Sequence, residues 1–134
     1  MIDPDLLLQA YRLGVFPMAL EDGEIGWFSP DPRTILPLEG FHVPHGLRRE
    51  RQRQGFEIRI DTAFEQVMRA CAEREETWIN QEIIASYLRL HELGFAHSVE
   101  AWAAPNELVG GLYGVAIGGA FFGESMFHRA TNAS

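Results

Sequence analysis

The segment Phe121–Phe127 places a single carboxylate among large apolar side chains. Because successive side chains of a β-strand point to opposite faces, this segment predicts that Phe122, Glu124 and Met126 share one face. Burial of a charge without a partner is costly, so Glu124 either lies at a solvent edge, has an arginine partner, or has a pKa raised for a chemical task. Glu124 is therefore the strongest candidate for a catalytic residue.

The preceding segment, Leu108–Val115, has a glycine two residues to either side of Leu112. The period of two places Gly110, Leu112 and Gly114 on one face of a strand. Two interpretations are open at this point. Either the missing side chains leave room for a ligand around Leu112, or the glycines mark a bulge or the close packing of another element against the sheet.

Aromatic and basic residues indicate a second kind of chemistry. Tyr11 lies near a predicted helix end and Trp78 lies between two predicted helices, where rings either stack on bases or fill the junction between subdomains. A basic run either holds phosphates through salt-sensitive contacts or forms a solvated charged face. The basic run of this chain consists of Arg48, Arg49, Arg51 and Arg53.

Several other chemistries are excluded by the residue pattern. Gly123–Phe127 is not a nucleophile elbow, because that turn needs glycine where Phe127 stands. Cys71 lies in an apolar helical stripe and is expected to be a buried, inert thiol. His42 and His45 lack a third ligand, so no metal site is predicted. The glycines of the predicted strands and turns do not form the G-x-G-x-x-G loop of dinucleotide-binding proteins.

The elements that must position these residues indicate an α+β fold in two units. Residues 1–55 predict a small N-terminal subdomain, which begins with a helix capped by Asp3 and ended by Gly14. A stretch rich in proline and glycine follows, with short strands expected at Ile25–Phe28 and Thr34–Leu38. A basic helix is expected at about residues 45–54.

Residues 56–134 predict a larger unit made of one strand, two helices and an antiparallel meander. After the strand at 56–60, Asp61 is expected to cap the first helix and Asn80 the second. The last residues, 132–134, resemble a helix start with no helix behind it, so the sequence is expected to be incomplete at its C-terminus. The predicted strands of the meander are His97–Trp102, Glu107–Ile117 and Ala120–His128.

Composition restricts the class of protein. The chain has 134 residues and a net charge of -8, which argues against a generally basic protein that coats nucleic acid. All 11 basic residues are arginine, and four of them lie within residues 48–53. The acidic chain therefore carries a local cluster of positive charge. A single cysteine excludes an internal disulfide framework, and neither a signal peptide nor a membrane span is visible. The default expectation is a cytoplasmic protein.

Six longer motifs follow one another along the chain: Ala10–Pro17, Trp27–Arg33, Glu76–Ile79, Leu90–Glu100, Leu108–Val115 and Phe122–Phe127. In this order they closely resemble the bacterial leucyl/phenylalanyl-tRNA–protein transferases, and the resemblance covers essentially the whole chain. This resemblance implies an enzyme that moves leucine or phenylalanine from aminoacyl-tRNA to the N-terminal arginine or lysine of a protein and so marks it for N-end-rule degradation. It also implies a GNAT-like acyltransferase domain over residues 56–134 and no need for coenzyme A or a metal.

The resemblance also implies roles for individual residues. Trp78 matches a tryptophan that stacks near the 3′ adenine of the tRNA, and Tyr11 matches a tyrosine at the same end. Glu124 is assigned, as a hypothesis, to orienting either the acceptor amine or the basic side chain of the acceptor. The family's basic cluster on the acceptor-stem phosphates corresponds to Arg48, Arg49, Arg51 and Arg53, and its apolar pocket for the leucine or phenylalanine side chain corresponds to Leu112, Gly123, Glu124 and Met126.

Two departures from the family pattern leave alternatives open. Met18 stands where the family has a second adenine-stacking tryptophan, so stacking there is expected to be weaker. Family members also continue beyond Ser134 into an Asp-x-Gln motif, which implies a C-terminally truncated chain with little or no activity. One alternative is a short protein that binds tRNA acceptor stems without catalysis. A coenzyme A-dependent GNAT acetyltransferase is a weaker alternative, because its Q/R-x-x-G-x-G/A loop is absent.

Overall fold

The computed structural model describes all residues from Met1 to Ser134. Helices and strands are mixed along the chain, and the meander follows the two central helices as predicted. The elements, in chain order, are α1 (Pro4–Arg12), β1 (Phe16–Ala19), β2 (Ile25–Phe28), α2 (His45–Gln54), β3 (Glu57–Ile60), α3 (Phe64–Cys71), α4 (Gln81–Glu92), β4 (Ala96–Ala103), β5 (Glu107–Ile117) and β6 (Ala120–His128).

The strands form two separate antiparallel sheets. β1 pairs with β2 in a hairpin, and the other strands form a four-stranded sheet in the order β3-β4-β5-β6. The α+β class is therefore confirmed. The expected strand at Thr34–Leu38 is wrong: the segment has no sheet partner, and Ile35 is 76% exposed, because nothing packs against this apolar stretch.

The helix starts follow local chemistry at two of three predicted caps. The side chain of Asp3 accepts hydrogen bonds from the N–H groups of residues 5 and 6, and that of Asn80 accepts one from Ile83. Asp61 does not cap α3; the cap position is Ala63, with no side-chain hydrogen bond. Asp61 instead has a positive φ of 59° and accepts hydrogen bonds from Ser98 N and His97 Nδ1, at 2.9 and 2.7 Å.

Helices α3 and α4 cover one face of the four-stranded sheet. Tyr113 of β5 packs edge-on against Phe64 of α3 and Tyr87 of α4, with ring centroids 6.0 and 5.8 Å apart. Helix α1 adds Leu7 and Tyr11 to the same hydrophobic core. Residues on both sides of position 55 thus share one core, and the boundary between two units at that position stays a prediction.

A β-bulge in β6 changes the register of the sheet. Ser125 pairs with Tyr113 and Gly123 pairs with Gly114, which leaves Glu124 as an extra residue on its strand. A bulge of this kind interrupts the alternation of side chains and re-aims the residue that it contains. The bulge therefore sets the position of Glu124, and a regular alternation of side chains along the strand does not predict it.

The bulge separates residues that the sequence pattern places together. Met126 lies opposite Leu112, whereas Phe122 lies opposite Val115, and directly opposite residues share a face of the sheet. Val115 is completely buried under the helices, and Phe122 contacts the ring of Tyr11 there. The prediction that Phe122 and Met126 share one face is wrong, because it assumes a regular ladder.

Other parts of the chain occupy the space beside the two glycines that flank Leu112. A Cβ on Gly110 would lie 1.8 Å from the carbonyl oxygen of Ala133, so the C-terminal residues pack directly on this backbone. A Cβ on Gly114 would lie 2.6 Å from the ring of Phe121. Between them Leu112 is half-buried. Close packing is therefore confirmed at Gly110 and Gly114, while Leu112 itself lines an open groove.

None of the four helices combines the length and the apolar character that crossing a bilayer requires.

Candidate functional site

A cleft of about 330 Å³ lies between the β1–β2 hairpin and β6. We call it the Trp78–Glu124 cleft, since it brings together a ring and a carboxyl group from separate predicted sites. Its remaining walls come from strand β1 and from the proline-rich segment after β2. The lining residues are Phe16, Met18, Pro30, Pro32, Arg33, Thr34, Trp78, Gly123 and Glu124.

The loop that carries Trp78 is fixed to the hairpin and to β6. The backbone N–H of Ala19 in β1 donates to the Trp78 carbonyl at 3.0 Å, which brings Met18 and Trp78 into the same cleft. The Arg74 guanidinium lies 6.0 Å from the Trp78 ring centroid and donates to the Met126 carbonyl at 2.9 Å. The tryptophan ring is therefore positioned by contacts on two sides before any ligand binds.

Glu124 reaches the cleft from the bulge and is held from behind by buried hydroxyls. The Tyr11 hydroxyl donates a hydrogen bond to Glu124 Oε1 at 2.6 Å, and it is also hydrogen-bonded to the Tyr87 hydroxyl. Burial, together with the charges of Tyr87 and Glu124, raises the pKa of Tyr11, which stays a neutral donor. Because Tyr11 is only 2% exposed, it does not line the cleft itself. It acts on the cleft through its hydrogen bond to Glu124.

The acidity of Glu124 is shifted by its surroundings. Burial raises the pKa of its carboxyl above the ordinary value for glutamate, while the Tyr11 hydrogen bond and the charge of Arg33 partly offset this rise. A carboxyl group whose pKa lies closer to neutrality is suited to accept and release a proton, or to hold an ammonium group without a strong ion pair. Of the three possibilities weighed for Glu124, the structure supports a raised pKa together with a nearby arginine.

The predicted pocket residues divide between the two faces of the sheet. Gly123 and Glu124 line the Trp78–Glu124 cleft, but Leu112 and Met126 do not. Leu112 lines a larger groove of about 590 Å³, which lies between α2, the uncovered face of the sheet and residues 132–134. Met126 is 52% exposed and lies opposite Leu112 on that face. The four residues therefore do not form one pocket in this structure.

The arginine run forms a helix without buried residues. Arg48 and Arg51 line the groove shared with Leu112, whereas Arg49 and Arg53 face a separate shallow depression on the outer side of α2. Arg53 is paired with Glu50 on the same helix. Helix α2 thus presents positive charge in two directions, and three of its four arginines have no carboxylate partner.

Two kinds of residue were missed by sequence reasoning. Arg33 and Phe16 line the cleft and lie in motifs of the resemblance, yet neither received a role, because their segments have no periodicity that assigns them to a face. Glu100 is completely buried and accepts hydrogen bonds from Ser98 and Thr62. Here a signal was available, because alternation in β4 places Ser98 and Glu100 on one face.

The thiol of Cys71 behaves as predicted. It is 1% exposed, and burial raises its pKa to about 11, so it is protonated at neutral pH and unsuited to nucleophilic attack.

Comparisons with known proteins agree with the motifs. The family model described as "Leucyl/phenylalanyl-tRNA protein transferase" matches residues 35–134, and the model of the N-terminal domain of that family matches residues 1–31. A protein of Salinibacter ruber named leucyl/phenylalanyl-tRNA–protein transferase is 55% identical over 134 residues, which is 99% of this chain and 59% of the relative.

Two further relatives carry the same name. The protein of Paramagnetospirillum magneticum is 59% identical over 97% of this chain and 65% of its own length. That of Akkermansia muciniphila is 56% identical over 99% of this chain and 71% of its own length. The chain thus spans less than two thirds of the first two of these relatives.

Proposed function

This chain belongs to the leucyl/phenylalanyl-tRNA–protein transferase family, and we propose that it forms part of an enzyme that transfers leucine or phenylalanine from aminoacyl-tRNA to a protein. The acceptor is the N-terminal arginine or lysine of that protein, and the product is a substrate for N-end-rule degradation in the cytoplasm. The observation that supports this proposal most directly is the Trp78–Glu124 cleft, where an aromatic ring and a carboxyl group of raised pKa lie together.

The reaction requires a nucleophilic amine, a carbonyl and a leaving hydroxyl. The α-amino nitrogen of the acceptor attacks the ester carbonyl carbon of the aminoacyl-tRNA, the tetrahedral oxyanion collapses, and the ribose hydroxyl of the terminal adenosine leaves with a proton. A peptide bond forms and an ester bond breaks, so no covalent enzyme intermediate is needed. This is compatible with Cys71, which is buried and protonated.

Within this proposal, the cleft residues have separate tasks. Trp78 stacks on the terminal adenine, with Met18 across the cleft as an apolar wall rather than a second stacking ring. Glu124, fixed by the Tyr11 hydroxyl, orients the acceptor amine and exchanges a proton with it. Leu112 and Met126 lie on the other face of the sheet, so in this structure they do not contact the side chain of an amino acid whose ester lies at Glu124.

Helix α2 supplies the tRNA contact of the proposal. Its arginines are exposed, and Arg48, Arg49 and Arg51 have no carboxylate partner, so they are available to phosphate oxygens. We also propose that residues 56–134 form a GNAT-like domain and residues 1–55 a smaller unit beside it. The strand, the two helices and the meander of the larger segment support this assignment.

The transfer reaction is tested directly with radiolabelled leucyl-tRNA and a peptide with N-terminal arginine. Since this chain covers only 59% and 65% of two relatives, we expect the 134-residue chain to bind leucyl-tRNA but to transfer little leucine. A relative of full length, assayed in parallel, provides the positive control. Turnover of the chain at the rate of that relative would contradict the expectation of weak activity. Absence of leucyl-tRNA binding would contradict the proposed function.

A second candidate function is binding of tRNA acceptor stems without catalysis, which the unpartnered arginines of α2 favour. Replacing Arg48, Arg49, Arg51 and Arg53 together by glutamine is expected to weaken tRNA binding and to reduce its salt dependence. The Glu124→Gln variant separates the two functions, because it should leave tRNA affinity nearly unchanged and abolish the residual transfer. If transfer persists after this substitution, the measured turnover does not depend on Glu124. That result would favour the binding function without catalysis.

A further inference from the structure

Arg33 carries a positive charge at the wall of the Trp78–Glu124 cleft, with its donors unused. Its guanidinium carbon lies 5.6 Å from the ring centroid of Phe16 and 5.4 Å from that of Phe122. It has no ion pair and no side-chain hydrogen bond within the protein. The exposed guanidinium thus lies over two aromatic rings, while its N–H groups have no protein acceptor.

The two rings come from different parts of the fold. Phe16 belongs to β1 of the small sheet, and Phe122 belongs to β6 beside the bulge. Arg33 therefore lies where the hairpin meets the four-stranded sheet, in the same cleft as Trp78 and Glu124. The two rings favour a position of the guanidinium at the cleft wall, where a ligand can reach it.

The free donors of Arg33 indicate an anionic ligand group. A guanidinium edge matches the oxygens of a phosphate, to which it donates paired hydrogen bonds. The charge of Arg33 lowers the pKa of Glu124, so the two groups interact electrostatically. They do not form an ion pair. The carboxylate thus leaves the donors of Arg33 available.

From this arrangement we infer that Arg33 binds the 5′-phosphate of the terminal nucleotide of the aminoacyl-tRNA. The inference rests on the proposed function, since it assigns to one cleft the three chemical parts of a nucleotide: the base on Trp78, the ribose ester near Glu124, and the phosphate on Arg33. Arg33 acts here as a contact to substrate that fixes the ester relative to Glu124. This contact is distinct from those of the arginines on α2, which lie on another side of the molecule.

The test compares two stable probes that differ in one phosphate. Both are 3′-deoxy-3′-phenylalanylamido-adenosine, in which an amide replaces the labile ester, and only one of them carries a 5′-phosphate. Binding to the full 134-residue chain is measured by calorimetry and by quenching of tryptophan fluorescence. We expect the phosphorylated probe to bind about tenfold tighter, in the range of a charge-assisted hydrogen-bonded contact.

The variants separate a phosphate contact from a general charge effect. Arg33→Gln should remove the preference for the phosphorylated probe and leave the affinity of the other probe unchanged. Arg33→Lys should retain part of the preference, because it keeps the charge but not the planar stack. Arg12→Gln, a change at an exposed arginine on α1, is the matched control and should retain the full preference. Circular dichroism of each variant checks that the fold is intact.

Three outcomes would overturn the inference. Equal weakening of both probes by Arg33→Gln would show that the arginine acts only on the charge of Glu124. An unchanged preference would show that the phosphate lies elsewhere. Both of these results leave the proposed function intact, since the probes still bind. If neither probe binds to the wild-type chain, the proposed function and the inference fail together.

Discussion

The two faces of the four-stranded sheet have similar residues but opposite surroundings. On the face covered by the helices, Val115 is completely buried and Tyr113 is 1% exposed. On the other face, Phe121 and Met126 are 50% and 52% exposed, and Leu112 lines an open groove between the sheet, α2 and the C-terminal residues. The alternation of apolar residues in a strand therefore shows which residues share a face of the sheet. Whether that face forms core or open surface depends on the elements that pack against it.

The difference also shows where chemistry can be placed in this fold. The Trp78–Glu124 cleft lies at the rim of the covered face, where a half-buried carboxyl group accepts a hydrogen bond from the Tyr11 hydroxyl, which is itself hydrogen-bonded to that of Tyr87. The uncovered face offers apolar area and arginine charge, but Glu124 is not among the residues that line its groove. The carboxyl group of Glu124 and the apolar side chains of Leu112 and Met126 thus lie on different sides of the same strands.

The largest effect expected from this comparison is on stability. Tyr113→Ala removes a ring that packs on Phe64 and Tyr87, and we expect a loss of about 3–5 kcal/mol in the free energy of unfolding. Met126→Ala, on the uncovered face, should cost less than about 1 kcal/mol. Urea denaturation followed by circular dichroism measures both. Equal losses for the two variants would contradict the difference between the faces.

A smaller effect is expected where the uncovered face does have a packing partner. Gly110→Ala adds a Cβ that would lie 1.8 Å from the Ala133 carbonyl oxygen, so the C-terminal residues must move. We expect a loss of about 1–3 kcal/mol in the free energy of unfolding, with faster proteolysis of the C-terminal residues. Gly119→Ala, which has open space around it, is the control. Unchanged stability and proteolysis would show that Ala133 does not pack on the strand.

The smallest effect concerns the carboxyl group at the rim of the covered face. Because burial raises the pKa of Glu124 in the folded chain, the folded state holds its proton more tightly than the unfolded state does. Ionisation of this group therefore costs stability as pH rises through and above the ordinary glutamate value of about 4.3. Glu124→Gln should gain stability relative to wild type from acidic to neutral pH.

That pH dependence is measured by denaturation at several pH values between about 4 and 7, the range around and above the ordinary glutamate pKa. The difference between variant and wild type isolates Glu124, since all other acidic residues are common to both chains. A difference that stays constant with pH would show that the folded-state pKa of Glu124 is not raised.

Much of this fold follows from local signals in the sequence. The meander strands were predicted to within one residue, and both central helices were predicted in the right order, because their periodicity and turns are strong. The cap at Asn80 was predicted for the same reason, whereas Asp61 failed as a cap since its side chain is occupied by Ser98 and His97. Local chemistry cannot show that a polar side chain has a better partner in another strand.

The candidate site was predicted less completely than the fold. Trp78, Gly123 and Glu124 do meet in one cleft, but Leu112 and Met126 lie on the other face because of a register change between β5 and β6. Arg33 was not assigned a role, since its neighbours in space come from β1 and β6, not from its own segment. Such contacts depend on tertiary packing, which periodicity does not describe.

The extra residue at the bulge has a consequence for how this site can vary. With Gly123 opposite Gly114 and Ser125 opposite Tyr113, the ladder between β5 and β6 is complete without Glu124. Deletion of this one residue would leave every pairing on either side in place. The strand therefore carries its carboxyl group as a removable insertion, so the sheet can persist while the chemistry at this position is gained or lost.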